Sequence, residues 1–121
     1  MNRPMHFEIP VNDPEAAMAF YGKVFDWKFT QFGPEAYWLA TTGPPGTPGI
    51  DGGIMKRRHP QQPPVNTMQV ADLDASSALA VEAGGKIVVP RMPIPGVGWL
   101  VYCTDPEGNL FGMCQMDPAA A

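Results

Sequence analysis

An α+β fold of two βαβββ modules, whose strands form a curved mixed sheet around a common cleft, is what this sequence predicts. Three observations predict it. The run His6 to Val11 alternates between two faces and passes straight into a helix start at Asp13-Pro14-Glu15. The same arrangement returns roughly sixty residues later, with Asp72 over Asp13, Val70 over Val11, Ala75 over Ala16, Ala78 over Ala19 and Leu79 over Phe20. Each copy is then followed by further strand-like runs, which brings the strands to about eight.

The elements follow in order. Asp13 is the expected N-cap of the first helix. Pro14 occupies the first helical position, where a missing N–H costs nothing, and Glu15 adds negative charge to the first turn. This helix is expected to reach about Phe25. Trp27 to Phe32 alternates large and polar residues as an amphipathic strand does, Gly33-Pro34 turns the chain, and Ala36 to Thr42 is a second β-rich run. Gly43 to Gly49, GPPGTPG, is too rich in Pro and Gly for regular structure, and a short strand from Ile50 to Lys56 closes the module.

Prolines 60, 63 and 64 make residues 57–64 an extended linker. The expected organisation is one domain over residues 1–121: module one at 1–56, the linker at 57–64, module two at 65–116 and a frayed tail at 117–121. Module two opens on a strand from Val65 to Ala71, continues as a helix from Leu73 to Ala83, and stops at Gly84-Gly85. Lys86 to Val89 is a short strand and Met92 to Gly98 a second Pro/Gly loop. Trp99 to Thr104 and Asn109 to Met116 then form a hairpin around Asp105-Pro106-Glu107-Gly108.

Bulk properties narrow the function. A length of 121 residues with 45% hydrophobic content suits an ordinary globular protein, and no apolar run approaches the roughly 18 residues that span a bilayer. No membrane partner is expected, and the amino terminus lacks the apolar core of a signal peptide, so a cytoplasmic location is expected. A net charge of −4 and pI near 4.9 argue against a nucleic-acid partner, which requires a basic stripe. The only basic run, Lys56-Arg57-Arg58, reads as a solvated strand end.

The two cysteines do not suggest a disulfide. If Thr104 pairs with Asn109, Cys103 falls opposite Leu110 and Cys114 opposite Trp99, which holds the sulfurs about 13 Å apart along the hairpin. Both are expected to be reduced. There is also no paired Cys spacing of the kind zinc uses, no phosphate-cradling glycine loop and no nucleophile elbow.

The doubled βαβββ plan, the run D-P-E-A-A-x-x-F-Y-x-x-V-F-x-W from Asp13 to Trp27, and D-P-E-G-N-x-F from Asp105 to Phe111 resemble the vicinal oxygen chelate superfamily. That group includes glyoxalase I, extradiol dioxygenases and bleomycin-resistance proteins, and the likeness extends over nearly the whole chain to its small glyoxalase-like members. In the metal-dependent members a ligand sits on the first and last strand of each module. The resemblance places His6 at the first of these positions and, in module two, Asn66 where a metal enzyme carries His. Gly112 replaces the usual carboxylate of the last strand, and the fourth-strand position falls within Asp51-Gly52-Gly53.

Zinc, nickel or Fe(II) needs three or four N, O or S donors, and the matched positions supply only His6. The expectation is therefore no standard metal and no other cofactor, with an irregular divalent site built from His6, Glu8 and Cys114 left open. His6 and Glu8 are two residues apart on one strand and share a face. His6 reads either as a cleft-wall residue bonded to a neighbour or as a catalytic group. Glu8, a carboxylate facing a closed sheet, needs a partner or a raised pKa and is the first candidate for a general base.

Trp38 and Trp99, one from each module, are candidate ligand-binding aromatics together with Asn66 and Cys114. Strand alternation sets Tyr37 opposite Trp38 and Tyr102 opposite Trp99, so only part of the aromatic set can line a cavity. A small, partly apolar molecule with a polar tip is the expected partner. Two functions stay open: a bleomycin-resistance-like protein that sequesters an organic molecule without a standard metal, or a glyoxalase-like lyase or isomerase that moves protons through Glu8 or His6. Homodimerisation is implied by the resemblance.

Overall fold

The structure, a computed structural model, describes residues 1–121. It contains eight strands and two helices in a mixed α+β arrangement, the fold class expected, with the order βαβββ occurring twice. No helix is long and apolar enough to cross a membrane. Contacts divide the chain into two compact units: His6–Pro64, and Met1–Met5 together with Val65–Ala121.

The first unit carries most of β1 (Arg3–Val11), then α1 (Pro14–Phe25), β2 (Lys28–Gln31), β3 (Tyr37–Thr41) and β4 (Gly52–Lys56). Its strands lie in the order β2-β3-β4-β1, antiparallel except for the parallel pair of β1 with β4. Helix α1 starts where the side chain of Asp13 accepts the Ala16 N–H at 3.1 Å, and it ends where Asp26 turns left-handed at φ 60° with its N–H on the Gly22 carbonyl.

Register sorts this unit's side chains onto two faces. Phe7, Ile54, Trp38 and Ala40 share one, with Ile54 and Ala40 fully buried. Trp27, stacked on Tyr21 of α1 at 5.0 Å, closes over Phe7 at 5.4 Å on this side. His6, Glu8, Gly53, Tyr37 and Leu39 share the opposite face. Helix α1 buries none of its residues and leaves Phe20, Val24 and Phe25 exposed.

The basic run that begins at the last residue of β4 does more than meet solvent. The Arg57 guanidinium donates to the carbonyls of Pro10 and Gln62 at 2.9 and 2.6 Å, and Lys56 donates to the carbonyl of Asn12, so these two cations tie the start of the linker to the end of β1. A long cation next to unpaired strand-end carbonyls gains a charge-assisted bond there.

The second unit carries β5 (Val65–Gln69), α2 (Leu73–Glu82), β6 (Lys86–Ile94), β7 (Gly98–Thr104) and β8 (Leu110–Met116), with strand order β5-β8-β7-β6. The side chain of Asp72 caps α2 through the Ala75 N–H at 3.1 Å, and Gln115 of β8 accepts the Leu73 N–H, so the helix start is held to the sheet. Val70, Leu73, Val101, Cys103 and Met113 form the core beneath it. The spacing between the two caps is kept in the sheet: Glu8 pairs with Gly53 and Thr67 with Gly112, each pair displaced from the other by the distance from Asp13 to Asp72.

Three expectations are corrected in this unit. The hairpin is one residue out of the expected register: Thr104 pairs with Leu110, Cys103 with Phe111 and Leu100 with Cys114. Asn109 is held inside the turn, because the Asp105 carboxylate accepts from the backbone N–H of Glu107 and Asn109 and from the Asn109 amide. Cys103 and Cys114 consequently lie on opposite faces of the hairpin, and both are free thiols.

Strand β6 runs on to Ile94 through Pro90 and Pro93, where a loop was expected. It is the edge strand and its register shifts twice, between Ile87 and Val89 and again between Val89 and Met92. A proline on such a strand need not donate to a neighbour. The tail, expected to fray, is docked: Gly96 N–H donates to the Ala120 carbonyl and Asp117 N–H to the Val97 carbonyl, both at 2.9 Å, and Ala120 is buried.

Candidate functional site

Within His6–Pro64 the polar groups converge on the face opposite Phe7. Strand alternation sends His6 and Glu8 there together from β1, as expected. Strand β3 adds a residue that sequence reasoning passed over: the Tyr37 hydroxyl stands 2.6 Å from His6 Nε2, with the two rings nearly parallel at 9°. Glycine makes that approach possible. A Cβ at Gly53 would run into the outer atoms of the Tyr37 ring, so the phenol lies directly on β4, and Phe32 meets its edge at 6.3 Å. Alternation from Trp38, combined with a glycine on the strand next to Glu8, was the available signal.

Electrostatics define the histidine. Burial pushes the His6 imidazole below its ordinary value of 6.5, against the pull of the Glu8 and Asp51 carboxylates, so the ring is neutral at pH 7. A neutral ring with its proton on Nδ1 accepts the phenol's O–H at Nε2. Glu8 is 8% exposed, one of two buried polar residues in the chain. Asp51 also anchors the Gly43–Gly49 loop, since its carboxylate accepts from the Thr42 N–H and hydroxyl at 2.8 and 3.1 Å.

The remaining expected site residues are not part of this cluster. Register turns Trp38 to the other face, with Ile54 and Ala40. In the second unit Trp99 packs against the core, donates its indole N–H to Asp117 at 3.1 Å and carries the Arg91 guanidinium 4.5 Å above its ring, a cation–π contact. Its ring is therefore committed to structure. Cys114 is buried between its register partners Leu100 and Gln69, and burial pushes its thiol up, which leaves it unreactive.

Asn66 is exposed and shares a face with Phe111, while the residues that repeat His6 and Glu8 are Val65 and Thr67. The expected equivalence was one residue out, and in a strand one residue is the other face. An apolar hollow of about 340 Å³ beside α2, lined by Met68, Val70, Leu79, Phe111 and Met113 with Asn2 and Ser76, holds none of the expected residues.

A metal centre of the usual kind does not suit these residues. No three His, Cys, Asp or Glu side chains stand together, and Zn, Ni or Fe(II) centres need that many protein donors. The glycines are also closed to a donor side chain. Tyr37 fills the space over Gly53, and a Cβ at Gly112 would meet Thr67 Oγ1 at 2.7 Å.

Comparison with known proteins agrees with this fold. Residues 3–113 match the family model of the Glyoxalase/Bleomycin resistance protein/Dioxygenase superfamily. Methylmalonyl-CoA epimerase from Mycobacterium tuberculosis superposes with a TM-score of 0.67 at 16% identity, covering 95% of this chain and 88% of that one. A superfamily member from Vibrio splendidus gives 0.69 at 17% identity over 95% and 98%. Over 49 residues, 40% of the chain, the sequence is 37% identical to CFP32 of Mycobacterium bovis, provisionally named a glyoxylase; the match spans 19% of that relative's length.

Proposed function

We propose, from the premise that this chain belongs to the Glyoxalase/Bleomycin resistance protein/Dioxygenase superfamily, that it binds a small organic molecule without a metal, the molecule's polar end meeting His6, Glu8 and Tyr37. The observation that carries this reading is the 2.6 Å bond between Tyr37 and His6 Nε2, which engages one of the two ring nitrogens through which the imidazole could hold a metal. The leucine and methionine on the same face, Leu39 and Met55, supply apolar surface for the rest of such a molecule. Elemental analysis of chelator-treated protein, with His6→Ala alongside, tests it. Metal-free protein that still binds organic ligands supports the reading, and stoichiometric metal lost in His6→Ala overturns it.

A second reading is proton transfer in a lyase or isomerase, favoured by one observation: a neutral imidazole on the same face as a buried carboxylate, Glu8. Turnover that depends on pH and is abolished in folded Glu8→Gln would make this the leading reading. Pairing of two copies belongs to the same proposal. The exposed Phe20, Val24 and Phe25 of α1 support it, and light scattering of wild type against Phe20→Glu tests it.

A further inference from the structure

We propose that Tyr37 is the residue through which this face reads its ligand, and that the oxygen it meets belongs to an uncharged carbonyl (ketone, aldehyde or amide) rather than to a carboxylate or phosphate. The proposal rests on the binding reading above and adds the chemical class of the ligand. Its first support is the way the phenol is seated. Gly53 provides a floor with no side chain, Phe32 braces one edge, and the hydroxyl is brought to 2.6 Å from His6 Nε2. A phenol is protonated at neutral pH, so its O–H is a donor that a ligand oxygen can take in competition with His6. Exchanging one neutral acceptor for another is close to even in energy, so the ligand's apolar body decides the affinity.

The second support is the charge around the pair. The groups that act on His6 through space are Glu8 and Asp51, both carboxylates. The cations of this unit nearest in sequence to these strands are committed elsewhere: Lys28 to Asp26 at 2.9 Å, and Lys56 and Arg57 to backbone carbonyls. The charges that act on His6 are those two carboxylates, so an anionic ligand end would enter a negative field there, whereas a carbonyl oxygen carries no such penalty. The face thus selects against acids and accepts their neutral analogues.

Acetophenone and benzoate, the same ring bearing a ketone or a carboxylate, are the probes. With Tyr and His isotopically labelled, each is titrated into the whole protein and followed by nuclear magnetic resonance. Acetophenone is expected to move the Tyr37 and His6 signals saturably and benzoate to bind at least about tenfold more weakly. Tyr37→Phe is expected to weaken acetophenone about tenfold, near 1.4 kcal/mol, with signals of residues 65–121 unchanged. Gly53→Ala keeps the phenol but displaces it and is expected to lose as much. Benzoate binding as tightly as acetophenone, or both variants binding like wild type, overturns the assignment of Tyr37. If neither probe moves any signal of residues 6–64, the binding reading itself fails and takes this one with it.

Discussion

Replacing Gly52 or Gly53 by alanine adds one methyl group at adjacent positions of β4, on opposite faces, and the two additions meet different obstacles. At Gly52 the new Cβ would lie 2.5 Å from the Phe7 carbonyl oxygen and from two Phe7 ring atoms. The oxygen is backbone of the paired strand β1 and cannot swing away, so the ladder itself has to shift. Overpacking of that kind costs about 1–3 kcal/mol, and involvement of backbone puts the expected value near ~3 kcal/mol. At Gly53 the obstacle is the far end of the Tyr37 ring, which can rotate aside. The loss is then one hydrogen bond, net ~1 kcal/mol, against a gain of ~0.5–1 kcal/mol from replacing a flexible glycine, so the net change is expected within about 1 kcal/mol of zero. Urea unfolding of the two variants measures the difference directly. If Gly52→Ala costs no more than Gly53→Ala, the account of which face is rigid is wrong.

Three further outcomes are expected. The lowered pKa of His6 means that the unfolded chain takes up a proton before the folded one does, so stability is greatest above pH 6.5 and declines as pH falls below it; His6→Gln should flatten that limb of the pH–stability curve. Asp105 is held below its ordinary value of 3.8, mainly by the Asn109 side chain, so it contributes stability above pH 3.8 that is lost as pH falls through its folded value. Melting of Asp105→Ala and wild type should therefore differ at neutral pH and converge in acid. Truncation after Asp117 removes the bond from Gly96 to Ala120 and the buried Ala120 side chain; a loss of ~1 kcal/mol in urea unfolding is expected, and no loss would mean the docked tail contributes nothing.

What the sequence made legible was local chemistry. Asp13-Pro14 and Asp72 cap helices because a short carboxylate before an amphipathic run has one inexpensive use, and both helices begin where those residues put them. Faces were legible wherever the register was right, as with His6 and Glu8, or Tyr37 against Trp38. They failed where one residue decided them. Asn66 is not the counterpart of His6, because Val65 is, and Asn109 is not a strand residue, because its backbone N–H and side-chain amide both bond to the Asp105 carboxylate and keep it in the turn. The Tyr37–His6 contact spans 31 positions and depends on a glycine in a third strand, a coincidence of tertiary structure that no local pattern carries. The commitment of Trp99 to Asp117 was hidden for a related reason, since a tail of Asp, Pro and Ala looks free until the Asp117 N–H and the Ala120 carbonyl find partners in the residue 94–98 turn.

The prolines of β6 have a consequence outside the native molecule. Ile87, Val88 and Val89 are exposed on an edge strand, an apolar β-branched run of the type that recruits strands from other chains and seeds insoluble assemblies. Pro90 follows directly, Pro93 comes three residues later, and the two register shifts interrupt the flat stretch that a newcomer would copy. An added strand could pair with only a few residues before reaching a position that has no hydrogen to offer, so the edge is a poor template for further growth.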